Sequence, residues 1–209
     1  MKIKKIVNTV AQENTYILSN NTSCIVIDPG SNQDEILKTL KQTQLPLSAV
    51  LLTHAHFDHI IGLKSVIDKY PDTPIYIHES EKDWPSSPEL NASLAFGFTP
   101  IIAPSADNYY MIDQFYCLGE FNFTVHYTPG HSIGGVSILF EKEKVVFSGD
   151  ALFKNSIGRT DLHTGNHEQL ITSIKTQLFI LSDDYIVHSG HGEQTTIGQE
   201  RQSNPHFNQ

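Results

Sequence analysis

The chain has 209 residues, with 14 Lys and Arg against 23 Asp and Glu, a formal net charge of −9 with its 11 histidines counted as neutral. That balance argues against a duplex-wrapping protein, which needs clustered Lys and Arg to neutralise phosphate. With 18% charged and 39% hydrophobic residues, and no apolar run longer than four, it is neither wholly disordered, nor a coiled coil, nor a carrier of a membrane span of about 20 apolar residues.

Taken in order, short runs rich in Val, Ile, Phe, Tyr and Thr predict strands at Ile3–Val10, Thr15–Ser19, Cys24–Asp28, Ala49–Thr53 and Ile75–His78. Further strands are expected at Phe115–Leu118, Phe121–Thr128, Gly135–Glu141, Lys144–Ser148 and Tyr185–Val187. A first helix, N-capped by Ser31 with Asp34 in its first turn, carries Ile36, Leu37 and Leu40 as an apolar stripe. A second spans Gly62–Tyr70 and stops at Pro71. The third opens on Asn166 and Gln169 in a capping-box pattern and continues through Leu170, Ile174 and Leu178 to Leu181. Asp83–Asn108, with Pro85, Pro88, Pro100 and Pro104, reads as a long irregular loop of the kind that is often functional. Many strands with a few helices predict one layered α/β domain over residues 1–209, with helices on the outer faces of packed sheets. The basic N-terminus lacks the apolar stretch of a signal peptide, and Cys24 and Cys117 form neither a zinc-type pair nor a disulfide framework, so a cytoplasmic protein is expected.

The histidines are concentrated. T-H-A-H-F-D-H, Thr53–His59, places His54, His56, Asp58 and His59 within six residues, directly after the apolar run A-V-L-L. Imidazole and carboxylate are the common ligands of zinc and similar ions. His54 and His56, two apart on an extended segment, point the same way, and Asp58 and His59 can serve a second ion as the chain turns into a helix. Three more apolar strands break at glycine and then offer one ligand each: His131 after P-G, Asp150 after S-G, and His191 within G-H-G. Seven ligands are too many for one zinc with an open position and suit two ions sharing a carboxylate, for which Asp150 is the candidate.

These residues resemble the metallo-β-lactamase superfamily, whose hallmark is H-x-H-x-D-H followed by a distant His, Asp and His. I-D-P-G at Ile27–Gly30, T-P-G-H at Thr128–His131 and S-G-D at Ser148–Asp150 belong to the same match. The resemblance implies a four-layer αββα sandwich of two mixed sheets flanked by helices. It implies His54, His56 and His131 on one metal, Asp58, His59 and His191 on a second, and Asp150 between them. G-D-A-L-F, I-G-R-T-D-L and T-T-I-G-Q-E-R are similar to the short glyoxalase II-like (hydroxyacylglutathione hydrolase-like) enzymes. With about eighteen residues after His191, the helical C-terminal region by which longer relatives hold glutathione is expected to be absent. Where those relatives carry a Lys and a Tyr for glutathione, this sequence has Arg159 and Asp161. Arg159 is therefore a candidate substrate contact, with pairing to Asp161 as the structural alternative. Asp at positions 58 and 150, where classical metallo-β-lactamases differ, argues against antibiotic hydrolysis as the main role.

The expected function is hydrolysis of a small anionic thioester or ester by a hydroxide bridging two divalent ions, Zn2+ for preference with Fe or Mn as alternatives, and with Asp58 and Asp150 as the catalytic carboxylates. Two divalent ions against two carboxylates and one hydroxide leave a formal charge of about +1, which favours an anionic substrate. The alternative is a persulfide dioxygenase-like oxidoreductase with one iron. A nuclease would want a basic groove, which the charge disfavours, so neither nucleic acid nor membrane is expected as a partner. Asp28 reads as a loop brace. His78, His126, His163, His167, His188 and His206 read as surface or core residues, with His188 near enough to the G-H-G turn to support a ligand.

Overall fold

The β-forming runs assemble into two six-stranded mixed sheets in the computed structural model, which describes residues 1–207. The chain divides into two compact units, Met1–Tyr110 with Cys117–Asn122, and Met111–Tyr116 with Phe123 onward. The first unit carries β1 (Lys2–Val7), β2 (Asn14–Ser19), β3 (Cys24–Ile27), β4 (Leu47–Leu51), β5 (Ile75–Ile77) and β6 (Asn108–Tyr109), adjacent in that order. The first three strands are antiparallel neighbours and the rest run parallel from β3 to β6. Parallel pairs need crossovers. They are supplied by α1 (Gln33–Thr43) after β3, and by α2 (Phe57–Ile60) with α3 (Leu63–Lys69) after β4. Ile36 and Leu40 of α1 and Leu63 and Val66 of α3 share one core with Val26, Val50 and Leu52. Every residue of β3 is buried, as its unbroken apolar run requires of a strand covered on both faces. The edge strand β1 instead exposes Lys2, Lys4 and Lys5, charges that discourage pairing with another chain.

The second sheet is built from β7 (Phe115–Leu118), β8 (Phe121–Tyr127), β9 (Val136–Phe140) and β10 (Val145–Gly149), followed, after the hairpin β11 (Leu152–Phe153) and β12 (Ser156–Ile157), by β13 (Ile186–Ser189) and β14 (Thr195–Thr196). Its order is β14-β13-β10-β9-β8-β7. β10 and β13 run parallel while β9 is antiparallel to both its neighbours. Phe123, Phe140 and Phe147 step across β8, β9 and β10 at ring separations of 5.5 and 5.8 Å. Helix α4 (His167–Ser173) passes into a π-helical turn at Ile174–Leu178, and Leu170, Ile174 and Leu178 pack with Leu139, Val146 and Val187. The last helix among the described residues is α5 (Ile197–Ser203).

The Asn166 cap is present, accepting from Gln169 N at 3.0 Å. The Ser31 cap is not. α1 begins at Gln33 after Asn32, with no side-chain cap, because Ser31 Oγ accepts instead from Val10 N and Asn32 Oδ1 from Thr9 N, both at 3.0 Å. The irregular loop that follows β5 is internally tied: Asn91 Nδ2 donates to Ile101 O at 2.9 Å and Ala103 N to Pro85 O at 2.8 Å, with Trp84 buried. Among the described residues no helix is long and apolar enough to cross a membrane.

Candidate metal centre

Each unit carries some of the candidate ligands. In the first, β4 delivers the chain into Leu52–His56, and the helix α2 turns Asp58 and His59 back beside it. The three imidazoles cluster, with the His54 ring 4.8 Å from His56 and 4.1 Å from His59. Asp58 Oδ2 stands 3.9 Å from His59 Nε2. All four side chains are buried, an arrangement that is costly for polar groups unless they are satisfied.

The Nδ1 atoms of His54 and His59 each meet an oxygen. His59 Nδ1 meets Asp28 Oδ2 at 3.0 Å, and Asp28 also accepts from Thr53 N at 2.8 Å and Thr53 Oγ1 at 2.6 Å. Asp28 therefore braces the ligand segment, as its place before Pro29 and Gly30 suggests. His54 Nδ1 lies 3.2 Å from Thr53 Oγ1. Holding Nδ1 in this way fixes the ring and leaves Nε2 to face an ion. The loop after β5 adds contacts that no motif announces: Glu81 Oε2 accepts from Ala55 N at 2.7 Å, Asn91 O accepts from Phe57 N at 2.9 Å, and the Trp84 ring sits 5.7 Å from His56.

In the second unit, β10 and β13 are parallel neighbours, so Asp150 and His191, just past their C-terminal ends, emerge side by side. His131 arrives from the end of β8. Asp150 Oδ2 lies 3.5 Å from His131 Nε2 and 3.4 Å from His191 Nε2. Two ligand atoms at zinc-like distances on a tetrahedral ion stand roughly 3.4 Å apart, so this one oxygen is spaced as a shared ligand with either histidine. His131 Nδ1 is 2.8 Å from the Arg159 carbonyl. Gly158 permits that approach, since a Cβ there would overlap the Asp150 carbonyl. The donor chemistry thus fits divalent metal ions, and groups of His and Asp able to hold them are present.

The Arg159 side chain is turned to Asp161 in a bidentate pair, Nε to Oδ1 at 2.7 Å and Nη2 to Oδ2 at 2.8 Å. The guanidinium holds the Asp161 carboxyl down at about 2. What sequence reading missed in Arg159 is its backbone, whose carbonyl holds the His131 ring. His188 stacks on Phe147 at 5.2 Å and His78 caps a short helical turn through Ser80 N at 3.2 Å.

The profile of the metallo-beta-lactamase superfamily matches residues 8–191 and so runs through both units. A probable metallo-hydrolase of Streptococcus pyogenes is 48% identical over 99% of this chain and 90% of its own length. The hydroxyacylglutathione hydrolase GloC of Haemophilus influenzae is 37% identical over 100% of this chain and 99% of its own. Among solved structures, the BLEG-1 B3 metallo-beta-lactamase aligns with a TM-score of 0.95 at 42% identity, covering 100% of both chains. TTHA1623, solved in a di-iron-bound form, aligns with a TM-score of 0.87 at 33% identity over 97% of this chain and 98% of its own. Two mixed sheets with their helices, the spaced His and Asp donors and this full-length likeness lead to one conclusion: the chain belongs to the metallo-beta-lactamase superfamily of metal-dependent hydrolases.

Proposed function

We propose that the chain is a dinuclear metal-dependent hydrolase that cleaves a thioester or ester bond in a small anionic substrate of the hydroxyacylglutathione kind. The observation that carries this reading is a donor set sufficient for two ions in a chain that resembles GloC from end to end. In it His54, His56 and His131 would hold one ion, Asp58, His59 and His191 a second, with Asp150 available to both. The near-equal distances from Asp150 Oδ2 to His131 and His191 support the bridge. Zinc is the expected ion, with iron or manganese as alternatives. Bound metal would lower the pKa of water toward neutrality and polarise a carbonyl oxygen.

The chain's own groups then do the following. Asp58 accepts a hydrogen bond from the attacking water and orients it at the carbonyl carbon. The Arg159 guanidinium leaves Asp161 for a substrate carboxylate, exchanging one charge-assisted bidentate contact for another. Water oxygen bonds to the acyl carbon and gives up one proton to solvent, the carbon–sulfur bond breaks, and the thiolate departs with the bonding pair, leaving the carboxylic acid, without a protein nucleophile. Neither nucleic acid nor membrane takes part, and the setting is cytoplasmic.

Two observations favour other chemistries enough to be assayed: the name of the 42% identical BLEG-1, which is a β-lactamase, and the iron held by TTHA1623. The test is a panel on metal-replete protein: hydroxyacylglutathiones, simple anionic and neutral thioesters, a chromogenic cephalosporin, and oxygen uptake on a glutathione persulfide. Thioester turnover should dominate. Faster cephalosporin hydrolysis, or persulfide-dependent oxygen uptake in place of hydrolysis, would overturn the proposal.

A further inference from the structure

Glu13 belongs to none of the ligand motifs, yet within the first unit it is fully buried. The turn that delivers it closes with Asn8 N donating to Glu13 O at 2.7 Å, and it passes through Ala11 and Gln12 at φ 54° and 57°. Two consecutive non-glycine residues in the left-handed region carry strain that the surroundings must offset. The turn sets Glu13 Oε1 3.9 Å from His59 Nδ1, the same nitrogen that Asp28 Oδ2 meets at 3.0 Å. Glu13 Oε2 is fixed by Asn8 Nδ2 at 2.6 Å and by Thr15 Oγ1 at 3.4 Å. Gly30, the last residue of I-D-P-G, makes the space: a Cβ there would clash with Glu13 Oε2 and lie 2.6 Å from Asn8 Nδ2. A strained turn, a reserved glycine and a buried carboxylate all converge on one imidazole nitrogen.

We propose that Glu13 is a positioning residue for His59: with Asp28 it presents two buried carboxylates to Nδ1, fixing the ring so that Nε2 is held toward the second ion as a stronger donor. The inference rests on the dinuclear reading, which assigns His59 to that ion. Carboxylates behind a ligand imidazole set its tautomer and raise its basicity. Glu13, Asp28 and His59 form a group that could itself hold a cation. That use would require His59 to give up both ring protons, so positioning is the role compatible with an Nε2 ligand.

The experiment is chelator competition with cobalt, resolving the two sites by their absorption, on wild type, Glu13→Gln and Gly30→Ala, with the unfolding midpoint of each metal-free protein measured alongside. Glu13→Gln keeps the side chain's size, and Gly30→Ala displaces the native carboxylate. Both should lose roughly 10- to 100-fold in affinity at one site, with the other within about threefold of wild type. For Glu13→Gln the metal-free midpoint should stay near that of wild type. Unchanged affinities in Glu13→Gln, or equal losses at both sites tracking a fall in metal-free stability, would overturn the role of Glu13 alone. A wild-type chain that saturates at one ion would overturn the dinuclear reading and this inference with it.

Discussion

Glu200 offers a quantitative test of how the second unit is held. It is fully buried in α5, within the stretch T-T-I-G-Q-E-R. Its Oε1 accepts from Thr195 Oγ1 at 2.5 Å, while Oε2 accepts from Asn155 N and from Asn204 Nδ2, both at 2.8 Å. Glu200→Ala removes the acceptor of the buried Asn204 Nδ2 and of the part-buried Asn155 N–H and opens a cavity, together a loss of about 3–5 kcal/mol. At roughly 2–4 °C per kcal/mol for a chain of this size, the midpoint should fall by about 6–20 °C. Glu200→Gln should cost only about 1 kcal/mol, because its carbonyl can serve both N–H donors while the Thr195 hydroxyl rotates to accept. Thermal unfolding followed by circular dichroism, with chelator present so that metal binding does not contribute, reads both variants. The reasoning fails if Glu200→Ala lies within about 1 kcal/mol of wild type, or if Gln is as damaging as Ala.

Two further predictions concern Arg159. Arg159→Ala should reduce kcat/KM for anionic thioesters by about 10- to 150-fold, the worth of a hydrogen bond to a charged group, and affect neutral thioesters much less at normal metal content. Equal losses on both substrates would assign the guanidinium to Asp161 alone. In a carbon-detected NMR titration the Asp161 carboxyl should have its midpoint at about 2 and return toward 3.8 in Arg159→Ala. Because the folded carboxyl is depressed, the pair's contribution is complete above about pH 4 and lost as pH falls through about 2. An unmoved midpoint in the variant would show that Arg159 is not the cause.

The candidate ligands were legible because each sits where an apolar strand breaks, and strand ends are written in composition: A-V-L-L before His54, V-V-F-S-G before Asp150, I-V-H-S-G before His191. The groups behind them were not. Glu13, Glu81 and Asn91 act across 46, 26 and 34 residues of sequence on His59, Ala55 and Phe57, through contacts that have no local pattern. Strands β6, β11, β12 and β14 have two residues each, too few for a period of two to register. α5 escaped notice although Thr196 caps it through Gln199 N at 3.2 Å, because its Gly, Gln, Glu, Arg, Gln and Ser leave Ile197 as its one strongly apolar residue. Ser31 was misread because a Ser before a helix can bond another segment as readily as the helix, and here the residues before β2 compete for it.

The most direct measurement is the metal content of the chain, saturated and then dialysed, beside that of Asp150→Ala, by elemental analysis. The account predicts two ions per wild-type chain and weakened retention of both in the variant, because one carboxylate is assigned to each. A fully active wild type that saturates at one ion, or an Asp150→Ala chain that keeps two tightly held ions, would contradict it.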